Sequence, residues 1–159
     1  MKVLLDTNII IHREASRVVL EDIGLLFKWL DQLRYSKFVH PVTLEEINKL
    51  KDINTRNTLN IKLSSYSLLV SHLIIDPQVS SVCTPLDYNE NDRNDTHLIN
   101  EVFCRRVDLL ITEDRKIKRK ADVLSIGDRV LNISEFLEKV TKANPELADY
   151  KVLSIRRTH

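Results

Sequence analysis

The stretch KVLLDTN, residues 2–8, decides the fold. Its apolar run at residues 3–5 is short and continuous, which is typical of a strand buried on both faces of a parallel sheet. Asp6 follows this run directly. Since an open α/β sheet binds its ligands outside the carboxyl ends of its strands, we expect Asp6 at a ligand-binding edge.

Apolar spacing along the rest of the chain alternates between the helical and the strand pattern. Helical spacing predicts helices at about residues 16–35, 43–51, 55–72, 93–106 and 114–125 (the last with Gly127 as its C-terminal cap), and one more that Ser134 caps. Short apolar runs predict strands at residues 37–40, 73–75, 109–112 and 129–133, whereas residues 76–91 are rich in turn formers and predict a loop. This alternation favours a Rossmann-like α/β/α sandwich on a central parallel sheet.

The size and composition of the chain fit one domain followed by a short extension. With 159 residues, of which 43% are hydrophobic and 30% charged, the chain is long enough to bury one core. We predict that this domain spans residues 1–142. Residues 143–159, with a strand-like run at 151–155, are either an extension or the start of a truncated further domain.

Cysteine usage and hydropathy predict a cytoplasmic protein. Cys83 and Cys104 show neither metal-ligand spacing nor a disulfide framework, and no signal peptide is recognisable, so we expect a reducing compartment. No apolar run approaches the roughly 18 residues that a membrane span needs.

Charge and glycine content limit the ways in which this chain can hold phosphate. The net charge is +1, so nucleic-acid binding must rely on a local basic patch. A phosphate-cradling loop needs several glycines close together, whereas this chain has only Gly24 and Gly127. Walker and GxGxxG loops are therefore excluded, and a metal ion with cationic side chains is the expected phosphate-binding device.

Four acidic residues occupy positions at which a metal site is expected. Asp6 and Asp114 follow predicted strands, whereas Glu46 and Asp95 lie near predicted helix starts. Four carboxylates brought together at one sheet edge cannot all stay ionised without a cation. Because oxygen ligands suit a hard cation such as Mg²⁺ or Mn²⁺, the pattern favours metal-assisted hydrolysis of phosphodiester bonds.

The same acids lie in four segments that resemble the motifs of the PIN domain, a family of nucleases. In chain order the segments are LDTN (5–8), LEEINKL (44–50), NDTHLI (94–99) and ITEDR (111–115). Each is a weak signal by itself, but their order, spacing and positions agree with the family over roughly residues 1–140.

The resemblance implies a Mg²⁺- or Mn²⁺-dependent ribonuclease with a Rossmann-like fold, whose products carry a 5′-phosphate and a 3′-hydroxyl. It assigns the catalytic and metal-binding roles to Asp6, Glu46, Asp95 and Asp114, and supporting roles to Asn8 and Thr112. It also implies an RNA substrate, a tendency to dimerise, and either an antitoxin-like protein inhibitor or a fused second domain as a partner.

Structural roles for the same acids are the main alternatives. Asp6, Asp95 and Asp114 each suit the N-cap or the first turn of a following helix. Thr43 and Glu46 have the spacing of a capping box, which would leave Glu45 as the fallback ligand. Three further carboxylates rival Asp95 for its place: Asp87, Glu90 and Asp92.

The densest basic run is RKIKRK, residues 115–120. On a helix with Ile117 facing the core, its charges spread over most of the surface, which is typical of a solvated face. Beside a metal site the same run is well placed to bind RNA phosphates. The residues predicted to do so are Arg115, Lys116, Lys118 and Arg119.

Other function classes fit parts of the pattern. A phosphohydrolase of the haloacid dehalogenase type needs a second Asp where Asn8 stands, and a receiver domain needs an acidic pair and a lysine that are missing here. A catalytically silent PIN-like module that binds RNA or a protein is the remaining alternative, since only activity separates it. The five histidines show no ligand spacing, and we interpret His12 and His97 as hydrogen-bonding or surface residues.

Overall fold

A computed structural model describes residues 1–14 and 21–146, which contain a five-stranded parallel sheet flanked by helices. The strands are β1 (Lys2–Leu5), β2 (Ser36–Val39), β3 (Ser67–Leu68), β4 (Leu109–Ile111) and β5 (Val130–Leu131). The helices are α1 (Thr7–Glu14), α2 (Glu21–Gln32), α3 (Pro41–Asn48), α4 (Ile53–Lys62), α5 (Pro77–Cys83), α6 (Glu90–Phe103), α7 (Arg115–Val123) and α8 (Ile133–Ala143). The predicted Rossmann-like α/β/α class is confirmed. None of the described helices has the length and apolar composition to cross a membrane.

The strand order β3-β2-β1-β4-β5 places β1 at the centre, where the chain changes direction across the sheet. From β1 the chain adds β2 and β3 on one side, and it then returns to add β4 and β5 on the other. All pairings are parallel, so all carboxyl ends lie at one edge. The crevice between the ends of β1 and β4 is therefore the switch point at which such sheets bind ligands.

Alternate residues of β1 supply the two halves of the core. Val3 and Leu5 belong to the apolar cluster that includes α1, α2 and α8, whereas Leu4 belongs to the one that includes α5, α6 and α7. This is the period-two alternation of a strand buried on both faces. Trp29 and Phe136, both fully buried, fill the first half.

The predicted helix at residues 55–72 is wrong in its second half. α4 ends at Lys62, and a 3₁₀ turn and then β3 take the place of the remaining residues. Tyr66 is buried as the spacing indicates, but Val70 is 95% exposed. The hydroxyls of Ser64 and Ser65 donate to carbonyls three residues earlier, a local bond that competes with continuing the helix.

The segment that follows was also predicted wrongly. Residues 73–75 are not a strand, and the predicted loop at 76–91 contains α5. Asp76 caps α5 by accepting a hydrogen bond from the backbone N–H of Gln78, and Pro77 occupies the first helical position. Proline marks a turn in most settings, but it is also favoured at the first position of a helix because it lacks a donor there.

Two predicted caps are wrong. α8 is capped by Asn132 in a reciprocal capping box with Glu135, so Ser134 lies inside the helix. Gly127 is not the C-cap of α7, since the helix ends earlier and the left-handed residue after it is Ser125, with φ of 61°. Asn132 therefore takes the capping role that the sequence pattern assigned to Ser134, and Ser125 takes the place after α7 that it assigned to Gly127.

The N-terminal helices differ from their prediction in part. The sequence did not predict α1, because β-branched Ile9, Ile10 and Ile11 lower helix propensity, and the burial of Ile9 and Ile10 overrides that preference. α2 covers Glu21–Gln32 of the predicted helix at 16–35, which therefore ends three residues earlier than predicted. The start of that helix and the strand-like run at 151–155 lie outside the described residues, as do residues 147–159 of the predicted extension.

Candidate active site

Asp6 lies at the switch point between β1 and β4 and is 6% exposed. Its backbone N–H donates to Ile111 O at 3.1 Å, and its Oδ2 accepts a hydrogen bond of 2.7 Å from Thr112 Oγ1. Burial raises the pKa of Asp6; the bond from Thr112 opposes this change, and the charge of Asp114 adds to it. The β1–β4 ladder therefore fixes the position of a carboxylate that is held at an electrostatic cost.

Asp114 also bonds to the hydroxyl of Thr112. Its backbone N–H donates to Thr112 Oγ1 at 3.1 Å, and its Oδ1 caps α7 by accepting from the N–H of Lys116 at 2.8 Å. The interpretation of Asp114 as an N-cap is thus confirmed. A capping carboxylate uses one oxygen for the helix, so its second oxygen can still serve as a ligand.

Glu46, on α3, bonds to Thr7, the residue that follows Asp6. Its Oε1 accepts a hydrogen bond of 2.8 Å from Thr7 Oγ1, which lies 3.0 Å from Thr43 Oγ1. The capping-box interpretation of Glu46 is wrong, because α3 begins before Thr43 and its N-cap is His40. Burial raises the pKa of Glu46, the bond from Thr7 opposes it, and the charge of Asp6 raises it further.

Asp95, on α6, is electrostatically coupled to the other three carboxylates. Burial and then the charges of Asp6 and Asp114 raise the pKa of Asp95 to about 8, while Lys120 opposes the shift. Glu46 contributes in the same direction. The acidic site is defined as Asp6, Glu46, Asp95 and Asp114, and its members come from the β1–α1 junction, α3, α6 and the β4–α7 turn.

The three rival carboxylates are each engaged elsewhere. Asp87 accepts from Thr96 Oγ1 and from Lys120 Nζ, each within 2.8 Å. Glu90 is paired with Lys49 on the surface. Asp92 accepts from the backbone N–H of Tyr88 at 3.0 Å. The geometry therefore favours Asp95 for the place that the sequence left open.

Two depressions flank the acidic site. The larger is a groove of about 790 Å³ whose lining includes Asp6, Asn8, His12 and Asp114. The smaller, of about 290 Å³, includes Glu46 and again Asn8. Asn8 therefore borders both, and an extended ligand lying along the two depressions would pass Asp6, Asp114 and Glu46.

The donor set fits a hard cation. All four side chains offer carboxylate oxygens. In the described parts of the chain no lysine or arginine forms a salt bridge with a member of the acidic site. A divalent ion would lower the raised pKa values by supplying the missing positive charge. Carboxylates of this number suit Mg²⁺ or Mn²⁺ better than a soft metal.

The basic run forms α7, beginning directly after Asp114. Arg115, Lys116 and Arg119 are exposed, as a phosphate-binding role requires. Lys118 differs, since its Nζ donates to Val130 O at 2.7 Å and also to the carbonyl of Gly127. Three of the four residues predicted to bind RNA are thus accessible, whereas Lys118 instead links α7 to the end of the sheet.

Sequence reasoning missed a second cluster. His40, His72 and His97 each offer a ring nitrogen, and these atoms lie within 4.8 Å of one another. His97 Nδ1 is buried without a hydrogen-bond partner among the described residues, a state that costs about 1–3 kcal/mol. Burial and then the two neighbouring histidines lower the pKa of His97, so its ring is neutral near pH 7.

No spacing rule finds this cluster, because its members come from the residue after β2, the segment after β3, and α6. The available signal was positional: His40 is the last residue of a predicted strand, and Asp6 directly follows another. Recognising His72 would have required the correct place of β3, which the sequence pattern put elsewhere. His12, by contrast, lies in the groove beside Asp6.

No known family model matches this chain, and no curated protein matches it either. Its function is therefore inferred from the site itself, since a Rossmann-like fold supports many unrelated activities.

Proposed function

We propose that this protein is a Mg²⁺- or Mn²⁺-dependent ribonuclease that hydrolyses phosphodiester bonds at the acidic site. The arrangement at the switch point carries the proposal, since the Thr112 hydroxyl bonds both the Asp6 carboxylate and the backbone N–H of Asp114. Burial and then the charges of Asp6 and Asp114 raise the pKa of Asp95 to about 8, while Lys120 opposes the shift. Strongly perturbed acids in a cleft are typical of functional sites. The resemblance of the four segments to PIN-domain motifs supports RNA as the substrate.

The proposed division of work follows the contacts. Asp6, Glu46, Asp95 and Asp114 hold the cation, and Thr112 fixes the first and last of these by donating to Asp6 and accepting from the Asp114 N–H. A bound Mg²⁺ or Mn²⁺ would activate water for in-line attack and stabilise charge on the phosphate oxygens.

The substrate contacts come from the two sides of the site. Arg115 and Arg119 are exposed on α7 and supply positive charge for neighbouring phosphates, while Asn8 offers an amide between the two depressions. Because these residues would contact the phosphate backbone of the RNA, we expect the site to bind RNA with little dependence on its base sequence. Base selection would need contacts beyond this set.

The test is cleavage of end-labelled single-stranded RNA with Mg²⁺ or Mn²⁺, with EDTA as the metal-free control. Asp6→Asn keeps the size of the side chain and is expected to lower kcat by at least about 100-fold, the scale of losing a charge that stabilises a transition state. Glu138→Gln, an exposed change on α8, is the matched control for removing one acidic charge.

Two results would contradict the proposal. Full cleavage by Asp6→Asn would place any activity elsewhere, including in a contaminating nuclease. Absence of cleavage over structured and unstructured RNAs, together with saturable binding of Mn²⁺ and RNA, would instead identify a silent RNA-binding module.

A further inference from the structure

Three imidazoles converge on the half of the sheet edge that the acidic site does not use. The ring centroids are 5.2 Å apart for His40 and His72, 5.4 Å for His72 and His97, and 5.8 Å for His40 and His97. The first residue is buried, the second exposed and the third half-buried. The cluster is therefore anchored in the protein at one end and open to solvent at the other.

We propose that this histidine cluster, His40, His72 and His97, is a binding site for a transition-metal ion of the Zn²⁺ class. Imidazole nitrogen suits such ions, whereas Mg²⁺ and Ca²⁺ prefer oxygen. The site is separate from the acidic site in its donor chemistry, and the proposal does not depend on nuclease activity.

The ring positions agree with tetrahedral coordination. With Zn–N bonds of about 2.0–2.1 Å, three imidazoles around one ion place their centroids roughly 5.2 Å apart, close to the three separations observed. The ring nitrogens, within 4.8 Å of one another, would need to close to roughly 3.3 Å. Reorientation of rings that already occupy suitable positions brings the nitrogens together with little displacement of the backbone.

Two of the three imidazoles could bind an ion without breaking a hydrogen bond seen in the described residues. His97 Nδ1 is buried and lacks a hydrogen-bond partner in the described chain, so coordination would satisfy a polar atom that the fold leaves unpaired. His72 is exposed, and its nearest acid is Glu45, 3.8 Å from Nε2. An exposed ligand also gives the ion a path from solvent.

His40 would exchange one of its two hydrogen bonds for a bond to the metal ion. Its Nδ1 accepts from the N–H of Val42 at 3.1 Å, and its Nε2 lies 3.2 Å from Glu101 Oε1. One bond would yield to the metal and the other would keep the ring oriented. Glu101 does not become unpaired in either case, because Arg106 binds both of its carboxylate oxygens.

The surrounding contacts support a structural role for the ion. A carboxylate next to a ligating histidine is a common support for metal sites. Arg106 also donates to the backbone carbonyl of Ser71, next to His72, so the same network reaches the segment after β3. An ion held here would join the ends of β2 and β3 to α6, three elements that are distant in the sequence.

The test measures Zn²⁺ binding by calorimetry on the full chain, with excess Mg²⁺ present to occupy the acidic site. We expect one Zn²⁺ per chain, a rise in Tm on addition of Zn²⁺, and the visible spectrum of tetrahedral Co²⁺ when Co²⁺ replaces it. His72→Gln is expected to weaken binding at least tenfold and to abolish the Tm rise without affecting the fold, since its side chain is exposed. His97→Gln provides a second ligand variant.

The controls separate this site from the acidic one. Asp6→Asn and His12→Gln, both in the acidic groove, are expected to leave the Zn²⁺ affinity unchanged. The proposal is overturned if Zn²⁺ shows no saturable binding. It is equally overturned if the affinity survives in both His72→Gln and His97→Gln, or if it is lost in Asp6→Asn and His12→Gln instead.

Discussion

The carboxyl edge of the sheet divides into two halves with different donor atoms. The ends of β1 and β4 carry Asp6 and Asp114, whereas the end of β2 and the segment after β3 carry His40 and His72. α6 serves both halves, with Asp95 in the acidic site and His97 in the histidine cluster. These two residues lie about 200° apart around the helix axis, which is how one helix reaches two sites.

This contrast shows how one topology supports two kinds of ion site. An all-parallel sheet brings every strand end to one edge, but the residue that follows each strand decides what binds there. The acidic half offers carboxylate oxygens, whereas the other half offers imidazole nitrogens, and the two donor types prefer different classes of metal ion. The two halves are therefore separable by experiment.

The largest expected effect comes from a pair of neighbours on α3. Glu46→Gln is expected to lower kcat for RNA cleavage by about 100-fold, because it removes a carboxylate next to Asp6. Glu45→Gln, on the adjacent and exposed residue, is expected to keep near-normal cleavage. Equal losses in both variants would show that the acidic half extends beyond the four carboxylates.

The second effect concerns stability and pH in the presence of EDTA. Because the folded pKa of Asp95 is raised to about 8, folding favours its protonated form. Its destabilising effect is thus absent below about pH 4, where the unfolded chain is also protonated, and complete above about pH 8. We expect the free energy of unfolding to fall as pH rises through this window.

Asp95→Asn tests this effect directly. At pH 8 the variant is expected to be more stable than the parent chain by on the order of 1–2 kcal/mol, a figure discounted for partial exposure, and the difference should vanish near pH 4. Urea unfolding at several pH values measures both. A variant that is less stable at pH 8 would contradict the crowding of charge in the acidic half.

A third, smaller effect concerns RNA affinity. Changing Arg115 and Arg119 together to Gln is expected to weaken RNA binding several-fold and to reduce the salt dependence of log K by up to about two units. Fluorescence anisotropy at several salt concentrations, in Asp6→Asn to prevent cleavage, measures both quantities. Arg56→Gln, at a half-buried residue of α4, changes one charge outside α7, and an equal loss per charge there would argue against α7 as the RNA contact.

The smallest expected effect comes from a substitution outside both the acidic site and the histidine cluster. Gly24 lies inside α2, and a Cβ added there meets no atom within 4 Å. Gly24→Ala is therefore expected to stabilise the protein by up to about 1 kcal/mol. Thermal unfolding measures the gain, and unchanged RNA cleavage and Zn²⁺ affinity would make the variant a useful background for the others. A loss of stability would show that the helix needs the glycine.

Sequence patterns were most informative where burial and chemistry agree. The residues around Asp6 and Asp114 combine a fully apolar strand with an acid at its end, so both fold and candidate site were predictable there. Asp76 and Pro77 look like turn formers but begin a helix, because the same residues suit both structures. The histidine cluster needed three tertiary placements at once, and the sequence supplied only that of His40.

The hydrogen bond from Asp6 N–H to Ile111 O extends the β1–β4 ladder one residue past the end of β1. The position of the carboxylate is thus set by the same register that pairs Leu5 with Ile111. A slip of one residue that moved Asp6 into the place of Leu5 would bury its carboxylate in the apolar core, since both faces of β1 are covered. A misaligned sheet is therefore penalised at the very residue on which the proposed activity depends, so errors in strand pairing and the loss of the acidic site would arise as one event during folding.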